Sequence, residues 1–279
     1  ALYEQKMCYA KLAGNDANTE IFADVICVDL QSETQKRIYH LPWTGGEQVP
    51  STAMHLDVYD NRIISEGGCG AEGTYPLCVF DTTSPDTFVE LQPSGGLAGI
   101  WADSVVWNTT EAENYDIRSY NFSTTLFINI TNDAIGQMSP RIYGDKVVFM
   151  DLKLGDSTPM GDWNHAAVFL YNLTSGDTTQ IAGSDWIASD PDIYNNVVVW
   201  LDYRGSSNPN DKNSLSGVEI WGYNLDTSTE FQITSVPGRP KTTPRIWGDK
   251  VFVHMYQADA GDAIYMFDLP AAAKASKKK

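Results

Sequence analysis

Residues 140–149 read Pro-Arg-Ile-Tyr-Gly-Asp-Lys-Val-Val-Phe, and this stretch decides the fold of the chain. Short runs of β-branched and aromatic residues, which favour strands, stand on both sides of Gly144-Asp145. A two-residue loop with glycine first suits a II′ turn, because that turn needs a positive φ at its first central residue. The stretch therefore predicts a tight β-hairpin.

Close relatives of this hairpin recur along the sequence. Clear copies occupy residues 191–200 and 244–253, and weaker copies occupy residues 58–64 and 100–107. The equivalent apolar positions Val58, Ile100, Ile142, Ile193 and Ile246 are separated by 42, 42, 51 and 53 residues. A repeat of roughly 40 to 50 residues is typical of propeller blades.

A second hairpin pattern supports the same period. It is an apolar run that ends in Asp or Asn, followed by a polar turn and another apolar run, as in residues 168–181. Six copies of it stand against five copies of the first hairpin. The two patterns together predict an all-β fold, a β-propeller of about six blades of four-stranded antiparallel sheet. The predicted repeats are residues 1–49, 50–95, 96–133, 134–185, 186–238 and 239–270.

The two ends of the array differ from its middle. The first repeat lacks the inner hairpin strand, and the sixth stops at Pro270 before an outer strand. Since open sheet edges are a liability, we expect terminal strands to close the seam. A strand lent between subunits, or a longer protein of which this chain is a fragment, would serve equally. Residues 1–270 are predicted to be one propeller domain, and residues 271–279 a disordered basic tail or linker.

Charge and hydropathy exclude two classes of partner. The formal net charge of −17 argues against nucleic-acid binding, which needs clustered Lys and Arg to neutralise phosphates. No apolar run approaches the roughly 18 residues of a membrane span, so membrane insertion is not expected.

The cysteines and glycosylation sequons favour export. Cys8 and Cys27 fall on predicted neighbouring strands, and Cys69 and Cys78 flank a glycine-rich loop, so each pair could form a disulfide within its own blade. Buried free thiols are the alternative. Asn-x-Ser/Thr sequons occur at Asn108, Asn121, Asn129 and Asn172. Together these features predict an extracellular or cell-surface glycoprotein.

The longest predicted loops lie in the fourth and fifth repeats and carry most of the chemistry-bearing residues. The candidate binding residues are Asp151, Asp162, Trp163, His165, Asp202, Tyr203 and Arg204. Paired carboxylates could catalyse acid–base chemistry on sugars, and an exposed tryptophan could stack on a sugar ring. The simpler interpretation is that Asp and Asn in such loops are turn formers and solvated side chains. The sequence contains no nucleophile-elbow, zinc-protease or phosphate-loop motif, so it predicts no catalytic residue, cofactor or metal.

The hairpin at residues 140–149 and the run Val-Phe-Leu-Tyr-Asn-Leu-Thr-Ser-Gly-Asp-Thr-Thr-Gln-Ile at residues 168–181 resemble the TolB-like β-propeller repeats of archaeal and bacterial cell-surface proteins. The match is close over residues 134–269 and loose before them. The resemblance implies an extracytoplasmic propeller used for binding or assembly, and it supplies no catalytic motif.

These observations favour a binding or scaffold module for protein or glycan partners at the cell surface. Self-assembly through an open blade edge, giving a homo-oligomer, is compatible with the incomplete ends. The alternative function is a carbohydrate-active enzyme, a glycoside hydrolase or polysaccharide lyase, that uses loop carboxylates on one face.

Overall fold

The computed structural model describes residues 2–4, 6–14, 21–43, 56–66, 76–92, 95–109, 115–132, 134–152, 163–183, 185–213, 216–236, 242–257 and 261–274. Within these residues the strands form six small antiparallel sheets, which are the blades of a β-propeller. The fold class and the number of blades predicted from the hairpin period are confirmed.

Three sheets come from the first part of the chain. The first contains β1 (Leu2–Tyr3), β2 (Lys6–Gly14), β3 (Ile21–Asp29) and β4 (Gln35–Trp43). The second contains β5 (Leu56–Tyr59), β6 (Arg62–Glu66), β7 (Leu77–Asp81) and β8 (Phe88–Gln92). The third contains β9 (Gly95–Trp101), β10 (Ser104–Thr109), β11 (Ile117–Asn121) and β12 (Leu126–Asn129).

Three sheets follow. The fourth contains β13 (Gln137–Tyr143), β14 (Lys146–Asp151), β15 (Ala167–Asn172) and β16 (Thr178–Ala182). The fifth contains β17 (Ala188–Tyr194), β18 (Val197–Asp202), β19 (Glu219–Asn224) and β20 (Thr229–Gln232). The sixth contains β21 (Arg245–Trp247), β22 (Lys250–Gln257) and β23 (Gly261–Asp268), and the helix α1 (Ala271–Lys274) follows it.

The chain divides into two compact units. One consists of residues 1–111 and 118–128, and the other of residues 112–117 and 129–279. In the first unit, one apolar cluster joins the first and second sheets and another joins the second and third. In the second unit, two clusters join the fourth, fifth and sixth sheets, and Trp200 and Val199 are completely buried in them. Each cluster fills the space between the facing surfaces of adjacent sheets.

The inner hairpin turns share one backbone conformation. The first turn residue has a positive φ in the inner hairpins of all six sheets, with values of 48° at Glu4, 50° at Asp60, 50° at Ala102, 61° at Gly144, 56° at Asn195 and 61° at Gly248. A positive φ at that position is what the glycine of the opening stretch predicts for a II′ hairpin.

The outer hairpin turns are held by the residue that ends the third strand of each sheet. The side-chain oxygen of this Asp or Asn accepts hydrogen bonds from backbone N–H groups two or three residues later. Residues of this kind are Asp29, Asp81, Asn121, Asn172 and Asn224. This local bond explains why the second sequence pattern always ends its apolar run in Asp or Asn.

Both ends of the chain differ in part from the expectation. The first sheet does have a short inner strand. It is β1, in which Leu2 pairs with Met7 of β2 and Tyr3 pairs with Lys6. The sixth sheet has three strands in the described residues, as the stop at Pro270 predicts. Residues 271–274 were expected to belong to a disordered tail, but they form α1, because Ala273 buries its side chain against the core of the second unit. Residues 275–279 lie outside the described residues.

Candidate functional site

The long loops of the fourth and fifth sheets meet each other. The described part of the first loop is the short 3-10 turn Trp163–His165. The backbone N–H of Lys212, in the second loop, donates a hydrogen bond to Asn164 Oδ1 at 3.2 Å. Its Nζ lies 5.5 Å from the centroid of the Trp163 ring. These contacts bring two loops from different sheets together into one surface of the second unit.

This surface presents an aromatic ring and an imidazole to solvent. The Trp163 side chain is 38% exposed, and His165 is exposed beside it. Asp151 lies at the end of β14, where its Oδ2 accepts a hydrogen bond from Gln137 Nε2 at 3.3 Å. Asp162 lies outside the described residues. Of the candidates in the fourth repeat, Trp163 and His165 are therefore placed where a ligand could touch them.

The candidates of the fifth repeat form a closed cluster instead. Asp202 is completely buried, and its carboxylate accepts hydrogen bonds from Arg204 Nε and Arg204 Nη2, both at 2.8 Å. The same carboxylate accepts the indole N–H of Trp186 at 3.1 Å and that of Trp200 at 2.8 Å. All the strong acceptor positions of Asp202 are thus directed to groups within the fold.

The guanidinium of Arg204 is also engaged by groups within the fold. Its Nη1 and Nη2 donate to the two oxygens of Glu230 on β20 at 2.9 Å and 2.6 Å. Its guanidinium carbon lies 4.4 Å from the Trp186 ring centroid and 3.9 Å from that of Trp221. Burial alone would lower the pKa of Arg204, but the hydrogen bonds with Glu230 and Asp202 raise it above its usual value. Arg204 therefore fastens the outer strand β20 to the loop that follows β18.

Tyr203 lies within the core of the second unit. Its side chain is 6% exposed and belongs to the apolar cluster that joins the fifth and sixth sheets. Burial, with the nearby Asp190 and Asp211 carboxylates, raises the pKa of its hydroxyl. Asp202, Tyr203 and Arg204 together hold the fifth sheet in shape, and they form no open group for a ligand.

A charged group on the inner strands was missed by the sequence analysis. Asp190 on β17 has a positive φ of 51°, and Ser189 Oγ donates to its Oδ2 at 3.1 Å. Burial raises the pKa of Asp190, and Ser189, Arg245 and Arg141 oppose that rise. The two arginines come from the inner strands of the adjacent sheets, so the group draws on three blades. Only the repeat alignment could have pointed to it, because Arg141 and Arg245 hold equivalent positions in the hairpin pattern and Asp190 lies just before the proline of the hairpin between them.

The outer side of the sixth sheet is the second surface that sequence reasoning did not identify. Ile264 on β23 pairs with His254 on β22, and by the same register its equivalents are Leu77, Val168 and Ile220. Those three residues are 0% exposed, whereas Ile264 is 75% exposed and Met266 is 60% exposed. In the fourth and fifth sheets the third strand also pairs with a fourth, and β23 has no such partner in the described part of the chain.

The four sequons fall in different environments. Asn108 is 2% exposed on β10. Asn121 and Asn172 hold outer hairpin turns through their side-chain oxygens. Asn129 is exposed at the end of β12.

The three cysteines among the described residues are oxidised. A disulfide joins Cys8 on β2 to Cys27 on β3, which face each other in the register of the first sheet. Cys78 is disulfide-bonded as well. Cys69, the other half of the predicted second pair, lies outside the described residues.

In the described ranges, no group of three or more His, Cys, Asp or Glu side chains is placed to hold a metal ion. None of the described helices is long and apolar enough to cross a membrane.

Comparison with known proteins identifies the fold class. No family model and no curated protein matches the sequence. Among solved structures, the β-propeller domain of the Trilobed protease from Pyrococcus furiosus, which has an open velcro topology, aligns with a TM-score of 0.61 and 14% identity over 95% of this chain and 76% of that one. TolB from Acinetobacter baumannii aligns with a TM-score of 0.54 and 12% identity over 95% and 64% of the two chains.

An oligogalacturonate lyase in complex with manganese aligns with a TM-score of 0.53 and 11% identity over 95% of this chain and 77% of that chain. The chain therefore has the fold of TolB-like β-propellers. At these identities the likeness shows the fold alone, since proteins with this architecture include proteases, lyases and TolB.

Proposed function

We propose that this chain is an exported, cell-surface β-propeller that acts as a binding or scaffold module for protein or glycan partners. We propose further that it assembles with other chains through the open edge of its sixth sheet. The observation that carries the proposal is the exposure of Ile264, at a position that the second, fourth and fifth sheets bury, together with that of Met266 on the same face of β23. Disulfide bonds support the location, because they persist in oxidising compartments.

An open, apolar edge strand is a template for pairing with another polypeptide. The backbone N–H and C=O groups on the free side of β23 supply main-chain hydrogen bonds, and Ile264 and Met266 supply apolar contact. The net charge of −17 opposes contact between two copies, so salt should strengthen self-association by screening this repulsion.

Sedimentation velocity over a concentration series, at about 0.05 M and 0.5 M salt, tests the assembly. The wild-type chain should associate more strongly at the higher salt concentration, and the double variant Ile264→Lys/Met266→Lys should remain monomeric. A matched control is Leu30→Lys, because Leu30 is also exposed, at 46%, but lies in the turn after β3 and not on an edge strand. A wild-type chain that stays monomeric under every condition removes self-assembly from the proposal.

The paired loops of the fourth and fifth sheets are the proposed ligand surface. Trp163 is the exposed ring there, and Lys212 lies across it. Affinity electrophoresis in gels that contain xylan, mannan or glucan should show retardation, which Trp163→Ala should weaken about tenfold. The control is Phe88→Ala, because Phe88 has nearly the same exposure at 37% and lies on a different surface. Equal retardation of both variants excludes the loop surface.

A carbohydrate-active enzyme is the second candidate, and one observation favours it. The raised pKa of Asp190 suits a carboxylic acid that donates a proton to a leaving group. Incubation with the same polysaccharides and with polygalacturonate should then release reducing ends, and Asp190→Asn should abolish the release. A wild-type protein that releases none on any of these polymers rules out this candidate for them.

A further inference from the structure

We infer that Asn129 carries an N-linked glycan, and that the first sugar packs on the ring of Phe127. The inference rests on the proposed export of the chain, and it names one acceptor among the four sequons. It also assigns a function to an exposed aromatic ring on an otherwise open strand edge.

Three sequons are unsuited to carry a glycan in this fold. The side chain of Asn108 is 2% exposed on β10, so a sugar on its nitrogen has no space. The Nδ2 of Asn121 donates to Ser104 Oγ at 2.9 Å, and the Nδ2 of Asn172 donates to Asp145 Oδ2 at 3.2 Å. In both of these residues the nitrogen that would bear the sugar faces another strand or turn of its own sheet.

Asn129 is different in each respect. It ends the outer strand β12, its side chain is exposed, and it makes no side-chain hydrogen bond to the described residues. The sequon continues through Ile130 to Thr131, whose hydroxyl accepts the backbone N–H of Ile117 at 2.8 Å. This bond holds the strand end two residues after the acceptor, and the Asn129 side chain remains exposed.

Phe127 is placed to receive the sugar. Residues two apart on a strand lie on the same face, so Phe127 and Asn129 share one face of β12. The Phe127 ring is 51% exposed, and Trp107 and Tyr120 hold it with centroid distances of 5.8 Å and 4.9 Å. The C–H face of a pyranose is apolar, so it can cover this ring and remove it from water.

The glycan would also protect the edge. Leu126 and Phe127 make β12 an apolar outer strand with no further partner in the described residues, and such strands are prone to pair with other chains. A hydrated, bulky group at Asn129 blocks the approach of another strand.

The donor of the glycan is a lipid-linked oligosaccharide. The Asn129 Nδ2 attacks C1 of the first sugar of a lipid-linked oligosaccharide, forming the C1–N bond and breaking the C1–O bond to the lipid pyrophosphate. Nδ2 loses one proton to a base of the oligosaccharyltransferase, and the lipid pyrophosphate leaves with the bonding electron pair. No oxidant or reductant takes part.

Expression in a eukaryotic secretory host, followed by glycopeptide mass spectrometry of the folded, secreted protein, tests the acceptor. We expect one glycan at Asn129, which Asn129→Gln removes, while Asn121→Gln and Asn172→Gln keep it. A folded protein without a glycan at Asn129, or with one at another sequon, overturns the inference. Since the host directs the chain to its secretory pathway, this experiment tests the choice of acceptor independently of the native location. A cytoplasmic native location would contradict the proposed function, and with it glycosylation in the native cell, while the choice of Asn129 as the acceptor in a secretory host would stand.

A thermal measurement tests the contact with Phe127. The glycoprotein should melt about 2 °C above the Asn129→Gln variant, a shift that corresponds to about 1 kcal/mol in a protein of this size. Phe127→Ala should abolish this difference between glycosylated and unglycosylated forms. Leu126→Ala should preserve it, because Leu126 points to the opposite face of β12. An unchanged difference in Phe127→Ala contradicts the stacking.

Discussion

The fifth and sixth sheets share one sequence pattern, but the apolar side chains of their third strands differ in exposure. Ile220 and Ile264 hold the same position in the register of the third strand, yet the first is 0% exposed and the second 75%. In the fifth sheet β20 pairs with β19, and Arg204 ties β20 to the loop after β18 through Glu230. The described sixth sheet has neither a fourth strand nor such a tie. Ile220 also lies in one cluster with Val251 and Val253 of the sixth sheet, so a facing sheet covers its side chain. The difference teaches that a surface for partners can arise where no described element covers a strand, with no change in the apolar pattern.

The tie in the fifth sheet should give the largest effect. Asp202→Ala removes the buried carboxylate and leaves Arg204 Nε and two indole N–H groups without their acceptor, so we expect a loss of about 3 kcal/mol in the free energy of unfolding. Urea unfolding measures it. Asp226→Ala serves as the control, because Asp226 is half-buried, accepts one hydrogen bond from Asn196, and should cost about 1 kcal/mol. Equal losses would show that the cluster does not hold the sheet.

The next largest difference should be in the stability cost of replacing the two equivalent residues Ile220 and Ile264. Ile220→Ala opens a cavity in a filled cluster and should cost about 3 kcal/mol. Ile264→Ala removes an exposed side chain and should change the stability of the monomer by less than about 0.5 kcal/mol. Denaturant unfolding in dilute solution compares the two, and a large loss in Ile264→Ala would mean that the sixth sheet is covered in the free chain.

The helix after the sixth sheet should contribute less. α1 packs on the fifth sheet, where the carbonyl of Ala273 accepts Asn224 Nδ2 at 2.7 Å and Lys274 pairs with Asp249 at 3.0 Å. Ala273→Arg places a long side chain at a position that is 5% exposed, and we expect a cost of about 2 kcal/mol. Ala271→Arg, at an exposed position of the same helix, should cost almost nothing in the same unfolding assay. If both variants unfold alike, α1 is not docked.

The inner turns should give the smallest difference. Gly248→Ala places a β-carbon at a φ of 61° and should cost about 1 kcal/mol, with calorimetry as the measurement. Asn195 has a φ of 56° at the same position of the fifth sheet, and Asn tolerates this region, so Asn195→Gly should stay within about 0.5 kcal/mol of the wild type. A neutral Gly248→Ala would mean that the turn relaxes to another type.

The sequence was sufficient to predict the hairpins and the blade period, because these depend on residues close together in the chain. It could not assign the Asp202–Arg204 cluster, whose other members Trp186, Trp221 and Glu230 come from separate strands and loops. Loop composition suggested ligand binding at these residues, whereas contacts across the sheet give them a structural role. Nor does any local pattern separate Ile264 from Ile220, since their exposure depends on what lies beside the strand.

The claim that β23 has an open edge, whereas β19 does not, is tested most directly by hydrogen exchange with mass spectrometry. The exchange is measured on the dilute chain and on the concentrated chain at high salt. In dilute solution we expect peptides from β19 to be protected throughout, and peptides from β23 to exchange about half of their amides rapidly, because only one side of that strand is paired. Those amides should become protected in the concentrated sample. Full protection of β23 in the dilute chain would contradict the account of an open edge.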